Sequence, residues 1–370
     1  MILLGLYFLL ITSLAVYSYA LVDPNITFFN HPLWTSFRNV MVDFGYNQRQ
    51  NSWWVYLSII ILLFIFNYIF VTKYKKLTFS PFKIAFIIGL ILVFSYPFLS
   101  HDFFSYLFYT RILTLYHHNP YTYLAGDYYL DPWLRFTQWT GNNYPYGPVF
   151  LLISAIPSFL GFAKFAPTFF LFKIVIVAFY LIAIKLLEKL NRKWAIMFAT
   201  NPLILVEGLI NGHNDLIGIS LSIVGIYFLL KKRKALSTAY FILSIGVKYL
   251  TLPFLFFLTK FKNYKLLTSL LIIAGLVFLT TRTEIQPWYF IMLFGLIPFY
   301  EDLIFRFNIF FFGLLMSYYP YVRFGGWARV LYWTTSYKVM FKHNVIIVFF
   351  IINLVYLVIY LLSKKKFFIK

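Results

Sequence analysis

Long apolar runs constrain this chain more than any other feature of its sequence. Residues 53–72, 84–100 and 345–362 are each close to the ~20 apolar residues that a helix needs to cross a bilayer. Only 12% of the 370 residues are charged, whereas about a quarter are charged in a soluble globular domain. The mean hydropathy is +0.79. The sequence therefore predicts an all-α fold, a polytopic transmembrane helical bundle.

Basic side chains give a formal net charge of +21, and their placement indicates how the chain is oriented. They cluster where apolar runs end, at 73–76, 189–193, 231–234 and 364–366. Such clusters are typical of cytoplasmic loops that face anionic headgroups. No segment is long and polar enough to form a solvated basic domain, so we expect membrane lipid and no nucleic acid as a partner. Residues 2–22 lack the basic N-terminal region and the small-residue cleavage site of a signal peptide. We therefore interpret them as a retained first helix.

Charge asymmetry predicts that both termini are cytoplasmic and that the polar segment 101–147 is extracytoplasmic. Helices are predicted at about 53–72 and 83–100, with the loop 23–52 on the outer side. Residues 103–117 are short and weakly amphipathic, which suits a helix lying along the membrane interface. Turn residues fill 119–147, and long ordered loops of this kind tend to be functional. We therefore expect 101–147 to be the first catalytic loop.

Several later segments are too short to cross the bilayer. Residues 148–163 contain Pro157 and Gly161 and are predicted to dip into the membrane and return. Residues 235–259 begin and end beside basic clusters, and two legs of ~12 residues rise only ~18 Å each as helix. This predicts a hairpin of half-helices with Lys248 near its tip. Full helices are expected at about 166–187, 194–210, 216–230, 265–281 and 344–362. The single domain 1–370 thus has about ten membrane segments, some half-spanning, and 291–343 stays unassigned.

Eleven acidic residues leave few candidates for acid–base chemistry. Asp102 follows an apolar helix, where it can be a general base or cap the next helix. Arg111 can bind a phosphate or be an interfacial cation, although nine residues at ~100° each place it opposite Asp102 on an ideal helix. His213 and Asp215 either line a cavity or mark a helix boundary. Lys248 needs water, a carboxylate or an anionic ligand within an apolar hairpin, and we interpret it as a phosphate ligand.

Other chemistries are not supported by the sequence. The chain has no cysteine, which removes disulfides, thiolate catalysis and Cys-ligated metals. Adjacent His117 and His118 cannot both reach one metal from a regular helix, and no His/Asp/Glu spacing resembles a cation site. No metal site is predicted, while metal dependence stays open. A Gly-rich nucleotide loop is also missing. Aromatic faces that can stack on a sugar ring occur in the 119–147 loop, at Tyr121, Tyr123, Trp133 and Trp139.

A series of short motifs follows a fixed order between residues 84 and 290. The motifs are His101-Asp102 with Tyr106, Arg111, Asn119-Pro120-Tyr121, Tyr144–Pro148, Asn201-Pro202 with Glu207, His213-Asn214-Asp215, Lys248-Tyr249 with Pro253, and Trp288-Tyr289. In order and spacing they resemble the GT-C superfamily of integral membrane glycosyltransferases, most closely the polyprenol-phosphate-mannose-dependent mannosyltransferases. Many of those relatives carry two acids where this chain has His101 before Asp102. Residues 291–370 match no part of the pattern.

The resemblance implies an inverting transferase with Asp102 as its catalytic carboxylate. We expect the substrate-binding residues to be His101, Tyr106, Arg111, Asn119, Tyr121, Tyr146, His213, Asp215, Lys248 and Tyr249. The predicted reaction moves a sugar, expected to be mannose, from a polyprenyl-phosphate donor to a hydroxyl of a glycan, lipid or protein acceptor on the extracytoplasmic side. No cofactor is predicted. The alternative is a transporter or flippase of a lipid-linked saccharide, but such proteins often have inverted repeats and midplane ionisable groups.

Overall fold

The computed structural model describes residues 2–325 and 335–367, and every regular element within them is a helix. The predicted all-α, polytopic helical membrane fold is therefore confirmed. The α-helices are α1 (Ile2–Tyr17), α2 (Pro32–Val42), α3 (Arg49–Thr72), α4 (Pro81–Leu92), α5 (Asp102–Thr114), α6 (Pro148–Leu160), α7 (Phe165–Leu190), α8 (Arg192–Thr200), α9 (Asp215–Leu230), α10 (Lys234–Ile245), α11 (Tyr264–Arg282), α12 (Ile297–Arg306), α13 (Asn308–Met316), α14 (Tyr319–Phe324) and α15 (Thr335–Phe367).

Shorter 3₁₀ and π-helical pieces connect these helices. The 3₁₀ pieces are Ser18–Leu21, Tyr74–Lys76, Ala125–Tyr128, Leu134–Phe136, Tyr249–Leu258 and Pro287–Leu296, and the π-helical pieces are Asp43–Asn47 and Ile204–Ile210. Residues 326–334 of the segment that the sequence left unassigned, and the side chains of the 364–366 cluster, lie outside the described residues.

Within residues 2–325 and 335–367, six helices are long and apolar enough to cross a membrane. They are Ile2–Leu21, Arg49–Thr72, Phe165–Leu190, Tyr264–Arg282, Pro287–Arg306 and Tyr337–Ser363. A seventh span results if α8 and Ile204–Ile210, which meet at a bend of 67°, count together. Five further apolar helices are only 10–17 residues long, and α4, α6, α9, α10 and Tyr249–Leu258 make up this group. The predicted number of about ten membrane segments depends on which of these short helices enter the bilayer.

Two regions differ from the expected helix pattern on the N-terminal side of the site. The segment 23–52, predicted as a loop, contains α2 and the π-helical turn Asp43–Asn47. Helix α4 ends at Leu92, eight residues before the predicted end, because Pro97 and its predecessor favour extended backbone. The extended stretch is held by other elements: the backbone N–H of Tyr96 donates to Ser18 Oγ, and that of Leu99 to Asn211 Oδ1. This stretch delivers the chain to Asp102.

Helix α5 is buried by protein, whereas the sequence predicted a helix along the membrane interface. Nine of its thirteen residues are buried. The reason is its composition, since aromatic and aliphatic side chains occur on every side and leave no continuous polar face. Helix α5 packs against α6 and α7, and α7 in turn contacts α4, α8 and α9. The start of α5 therefore opens into the interior of the helix bundle.

Candidate active site

Asp102 is the first residue of α5. The residue before it, His101, occupies the cap position but makes no side-chain cap hydrogen bond. The backbone N–H of Asp102 donates to the Ser100 hydroxyl at 3.2 Å, and the Asp102 side chain is 17% exposed. The carboxylate lies in the first helical turn, beside the backbone N–H groups that have no partner within the helix. Asp102 is therefore not the helix cap that the alternative interpretation required.

The imidazole of His213 lies between two carboxylates. Its Nδ1 is 3.6 Å from Oδ2 of Asp102, and its Nε2 is 3.3 Å from Oε2 of Glu207. The side chains of His213 and Glu207 are fully buried. The ring of Trp288 stacks on the imidazole with 3.9 Å between centroids and 14° between planes. A row of carboxylate, imidazole and carboxylate thus leads from Asp102 into the protein interior.

A break in the helical backbone brings His213 to Asp102. Helix α8 ends at Asn201-Pro202, and the π-helical turn Ile204–Ile210 follows at 67° to it. Gly212 then has a φ of +71°, a conformation that favours glycine, and a Cβ there would lie 2.5 Å from the Phe103 ring. Only a residue without a side chain lets the backbone pass this close to α5. The π-helical turn also places Glu207 on the same side as His213.

Asp215 and Lys248 form an ion pair beside this row. Lys248 Nζ is 2.9 Å from Asp215 Oδ2, and the lysine side chain is 17% exposed whereas the carboxylate is buried. Asp215 is the first residue of α9, so the N-termini of α5 and α9 both face this region. Lys248 precedes the 3₁₀ helix Tyr249–Leu258, after the turn that ends α10. Lysine Nζ has three donors, so the amine can bind an anion in addition to Asp215.

Tyr106 and Tyr146 connect Asp102 with Asp215. Their hydroxyls lie near each other, the Tyr106 hydroxyl also lies near the backbone of Asn214, and the rings meet edge to face at 5.0 Å. Both tyrosines are in the electrostatic field of Asp102 and Asp215. Burial raises the pKa of both hydroxyls well above the ordinary value. They therefore stay protonated and can donate hydrogen bonds at any physiological pH.

The Tyr144–Pro148 segment is fixed to the turn that carries Lys248. A Cβ on Gly147 would lie 2.1 Å from the Gly246 carbonyl oxygen, so the two backbones are in direct contact. The Val149 N–H donates to that same oxygen at 2.9 Å. Tyr121 Oη donates to the Tyr146 carbonyl at 3.0 Å, while Asn119 Oδ1 accepts from the Tyr121 N–H. The predicted residues Asn119, Tyr121 and Tyr146 thus belong to one rim, with Tyr249 exposed beside Tyr121.

Arg111 lies at the other end of α5 and not with the other predicted site residues. Its Nε is 2.6 Å from Asp131 Oδ2, its Nη1 donates to the Ala163 carbonyl at 3.1 Å, and its guanidinium lies 4.1 Å over the Trp133 ring. The structure brings Asp102, His213, Asp215 and Lys248 together and leaves Arg111 out. His101 is near Asp102 but half-buried, with its ring toward Phe104.

Three further residues support the site, and the sequence had not included them among its candidates. Glu207 and Lys173 each stand alone in an apolar run, which is the signal that could have found them. Lys173 Nζ is fully buried and donates to the carbonyls of Leu209 and Ile210 and to Ser95 Oγ. It thereby fixes the end of the π-helical turn before His213. Lys342 of α15 lies close enough for its charge to act on Asp102 and Glu207.

The site offers a partly exposed carboxylate, an ammonium group and donor hydroxyls. In the described part of the chain, no group of three or more His, Cys, Asp or Glu side chains could hold a metal ion.

A family model for the MptA_B family, described as alpha-(1->6)-mannopyranosyltransferase, N-terminal domain, matches residues 4–262, or 259 of 370 residues. The chain belongs to this family. No match was found among curated proteins or among solved structures.

Because the chain belongs to this family, the protein is a glycosyltransferase of a mannosyltransferase family. The geometry of the site fits this assignment. The matched range of this mannosyltransferase contains Asp102, Glu207, His213, Asp215 and Lys248. Trp288 and Lys342 lie beyond it. The core of the site therefore belongs to the family domain, and the C-terminal helices add contacts to it.

Proposed function

We propose that this mannosyltransferase transfers mannose from a polyprenyl-phosphate donor to an acceptor hydroxyl, with inversion, on the extracytoplasmic side of the membrane. The observation that carries the proposal is the presence in one site of a partly exposed carboxylate, Asp102 at the start of α5, and a partly exposed ammonium group, Lys248, which is paired with Asp215 at the start of α9. Carboxylate and ammonium match the two charges that the reaction needs: a base for the hydroxyl and a cation for the leaving phosphate.

Lys248 is the proposed phosphate ligand. It lies at the turn between two short apolar helices, and Tyr249 beside it is 64% exposed. A donor embedded in lipid can reach this turn with its phosphate while its chain stays in the bilayer. The N-termini of α5 and α9 add positive potential at the same place. The leaving group is then the membrane-bound phosphate, which is consistent with the missing nucleotide loop.

Asp102 is the proposed general base. It removes the proton of the acceptor hydroxyl, the oxygen attacks the anomeric carbon, and the bond from that carbon to the phosphate oxygen breaks. The proposed sugar contacts are the hydroxyls of Tyr106 and Tyr146, the exposed residues Asn119, Tyr121 and Tyr249, and the half-buried His101. The family description names an α-(1→6) linkage, and we extend it to this chain. Inversion to an α product requires a β-linked donor.

Transfer in proteoliposomes tests the proposal. We expect protein given labelled β-linked polyprenyl-phosphate mannose to form product and Asp102→Asn to lower kcat by about 10²–10⁴-fold, the usual contribution of a general base. Asp302→Asn, an exposed carboxylate near Lys193, is the matched control and should leave kcat unchanged. Undiminished transfer by Asp102→Asn would contradict the base assignment. Translocation of the donor without any product would instead indicate a flippase.

A further inference from the structure

The buried pair Glu207 and His213 lies directly behind Asp102. Both ring nitrogens of His213 and Oε1 of Glu207 have no hydrogen-bond partner among residues 2–325 and 335–367, although all three atoms are buried. Buried polar atoms are hydrogen-bonded in the great majority of cases, so a group of three without partners requires an explanation. A proton that the site gains during the transfer can supply the missing partner.

The distances indicate where that proton belongs. Nε2 is the closer nitrogen to a carboxylate, at 3.3 Å from Glu207, while Nδ1 is 3.6 Å from Asp102. A neutral imidazole carries one N–H, and the other nitrogen is an acceptor. With the proton on Nε2 facing Glu207, Nδ1 presents a lone pair to Asp102 Oδ2. Two lone pairs that face each other repel, and one added proton between them turns the contact into a hydrogen bond.

We propose that Glu207 and His213 are positioning residues that make a proton trap for Asp102. Glu207 holds the Nε2–H tautomer of His213, and the bare Nδ1 then stabilises the proton that Asp102 receives. This inference rests on the function proposed above, because it assigns the fate of the proton from the acceptor hydroxyl. Neither residue contacts the substrate, since both side chains are fully buried.

The proton balance of the step is complete. The acceptor O–H bond breaks and its proton moves to the Asp102 carboxylate, where it bridges to His213 Nδ1. The oxygen–carbon bond of the product forms and the carbon–oxygen bond to the phosphate breaks, so the phosphate leaves as an anion. The Trp288 ring, stacked on the imidazole, favours any positive charge that the bridging proton places on His213.

Other charged and titratable groups face this row from neighbouring elements. Tyr318 and Tyr56 of α3 are both in the electrostatic field of Glu207. Lys342 of α15 acts on both carboxylates. The Asp215–Lys248 pair lies on the side of Tyr106 and Tyr146. All of these groups are unchanged when Glu207 is replaced, so a shift in a pH profile reports on Glu207 itself.

The first experiment is the pH–rate profile of Glu207→Gln in proteoliposomes with labelled polyprenyl-phosphate mannose. Glutamine keeps the shape and an acceptor oxygen for Asn211 but removes the charge. We expect kcat to fall about 10–100-fold, as for other residues that orient a reacting group, with the donor KM unchanged. The negative charge of Glu207 stabilises the trapped proton, so its loss moves the acidic limb of the pH–rate profile to lower pH.

Glu188→Gln is the matched control. Glu188 is the same residue type on α7, fifteen residues beyond Lys173 and thus ~22 Å along the helix. Its profile should coincide with that of the unaltered protein. A Glu207→Gln variant that loses activity equally at every pH would overturn the proton trap and leave a structural role. A rise in donor KM would overturn it too, because it would place Glu207 in contact with the donor.

A second measurement needs no variant. In protein with ¹⁵N-labelled histidines in bilayers, the His213 signal is the one that couples to labelled tryptophan, because of the Trp288 stack. We expect an N–H signal at Nε2 and a bare Nδ1. The opposite tautomer would overturn the proposal. If instead the unaltered protein forms no product from the polyprenyl-phosphate donor, the proposed function fails, and the tautomer still reports on the pair.

Discussion

The two ends of α5 carry opposite charges, and they differ in how completely their polar atoms are paired. At the Arg111 end, Asp131 accepts hydrogen bonds from Arg111 Nε, from the Tyr116 hydroxyl and from the Trp133 N–H, at 2.6, 2.7 and 2.9 Å. At the Asp102 end, buried side-chain atoms lack partners among the described residues, and these are Glu207 Oε1, both His213 nitrogens, both Asn214 amide atoms and Asp215 Oδ1.

This difference separates scaffold from site. A buried ion pair with satisfied hydrogen bonds fixes a geometry, and nothing further is needed from a ligand. Buried polar atoms that stay unpaired cost free energy of folding, and proteins retain such groups where function requires them. We therefore interpret the Arg111 end as the anchor of the 119–147 loop and the Asp102 end as the place where substrate binds. Both interpretations can be tested by substitutions at the two ends.

The largest expected effect on stability is at the anchor. Asp131→Asn removes the charge opposite Arg111, and breaking a buried pair in this way costs about 3–5 kcal/mol. We expect a large fall in the melting temperature in lipid, with kcat of the folded fraction within about threefold of the parent. Asp127→Asn, which alters a more exposed carboxylate of the same loop, is the control. A loss of kcat at unchanged stability would instead support a phosphate-binding role for Arg111.

At the site, Lys248→Met should mainly affect the donor. Hydrogen bonds to charged groups are worth about 1.5–3 kcal/mol, which corresponds to roughly 10–100-fold in kcat/KM for the lipid donor. The same substitution leaves Asp215 buried without its partner, so the double variant Lys248→Met/Asp215→Asn is measured beside it. If the double variant regains full transfer, Lys248 only neutralises Asp215 and does not bind phosphate. Lys231→Met, near the far end of α9, is the control for lysine loss.

The comparison also indicates how much the sequence could predict. Apolar runs predicted α3, α7, α9 and α11 to within a few residues, because a span of that length needs no knowledge of its neighbours. The early end of α4 and the 67° bend after α8 depend on Pro97 and Pro202. The sequence shows that these prolines interrupt a helix, but it does not show in which direction the chain continues. Burial of α5 was missed because its environment is built by α6 and α7, far away in the sequence.

The same limit applies to the site. Asp102, His213, Asp215 and Lys248 were found because rare polar groups in apolar surroundings are conspicuous. Their pairing with Glu207 and Trp288 depends on a π-helical turn and on a positive φ at Gly212, which no periodicity reports. Arg111 illustrates the converse, because a conspicuous cation has its carboxylate twenty residues later in the same loop. Residue type identified the candidates, and only the fold determined which of them share a site.

Gly212 links the backbone to the geometry at the Asp102 end. Gly212→Ala requires a non-glycine residue at a φ of +71°, with its Cβ 2.5 Å from the Phe103 ring, and we expect a cost of about 1–3 kcal/mol. Because the strain lies next to His213, kcat should fall together with the melting temperature. Gly141→Ala, where the added Cβ meets nothing within 4 Å, is the matched control. Unchanged stability and activity in Gly212→Ala would mean that the backbone here can relax without moving His213.

The smallest expected effect is a pH dependence of stability at His101, on the Asp102 side. Burial lowers the pKa of His101 from its ordinary value, so the folded state favours the neutral ring. The unfolded chain binds the proton more readily, and stability is lost as the pH falls from about 6.5 through the lowered folded pKa. We expect His101→Gln to flatten the decline in melting temperature over this window, whereas His31→Gln, at an exposed position, should not. If the melting temperature of both variants declines with falling pH as that of the parent does, water reaches the His101 ring. The Asp102 end is then more open to water than its burial implies.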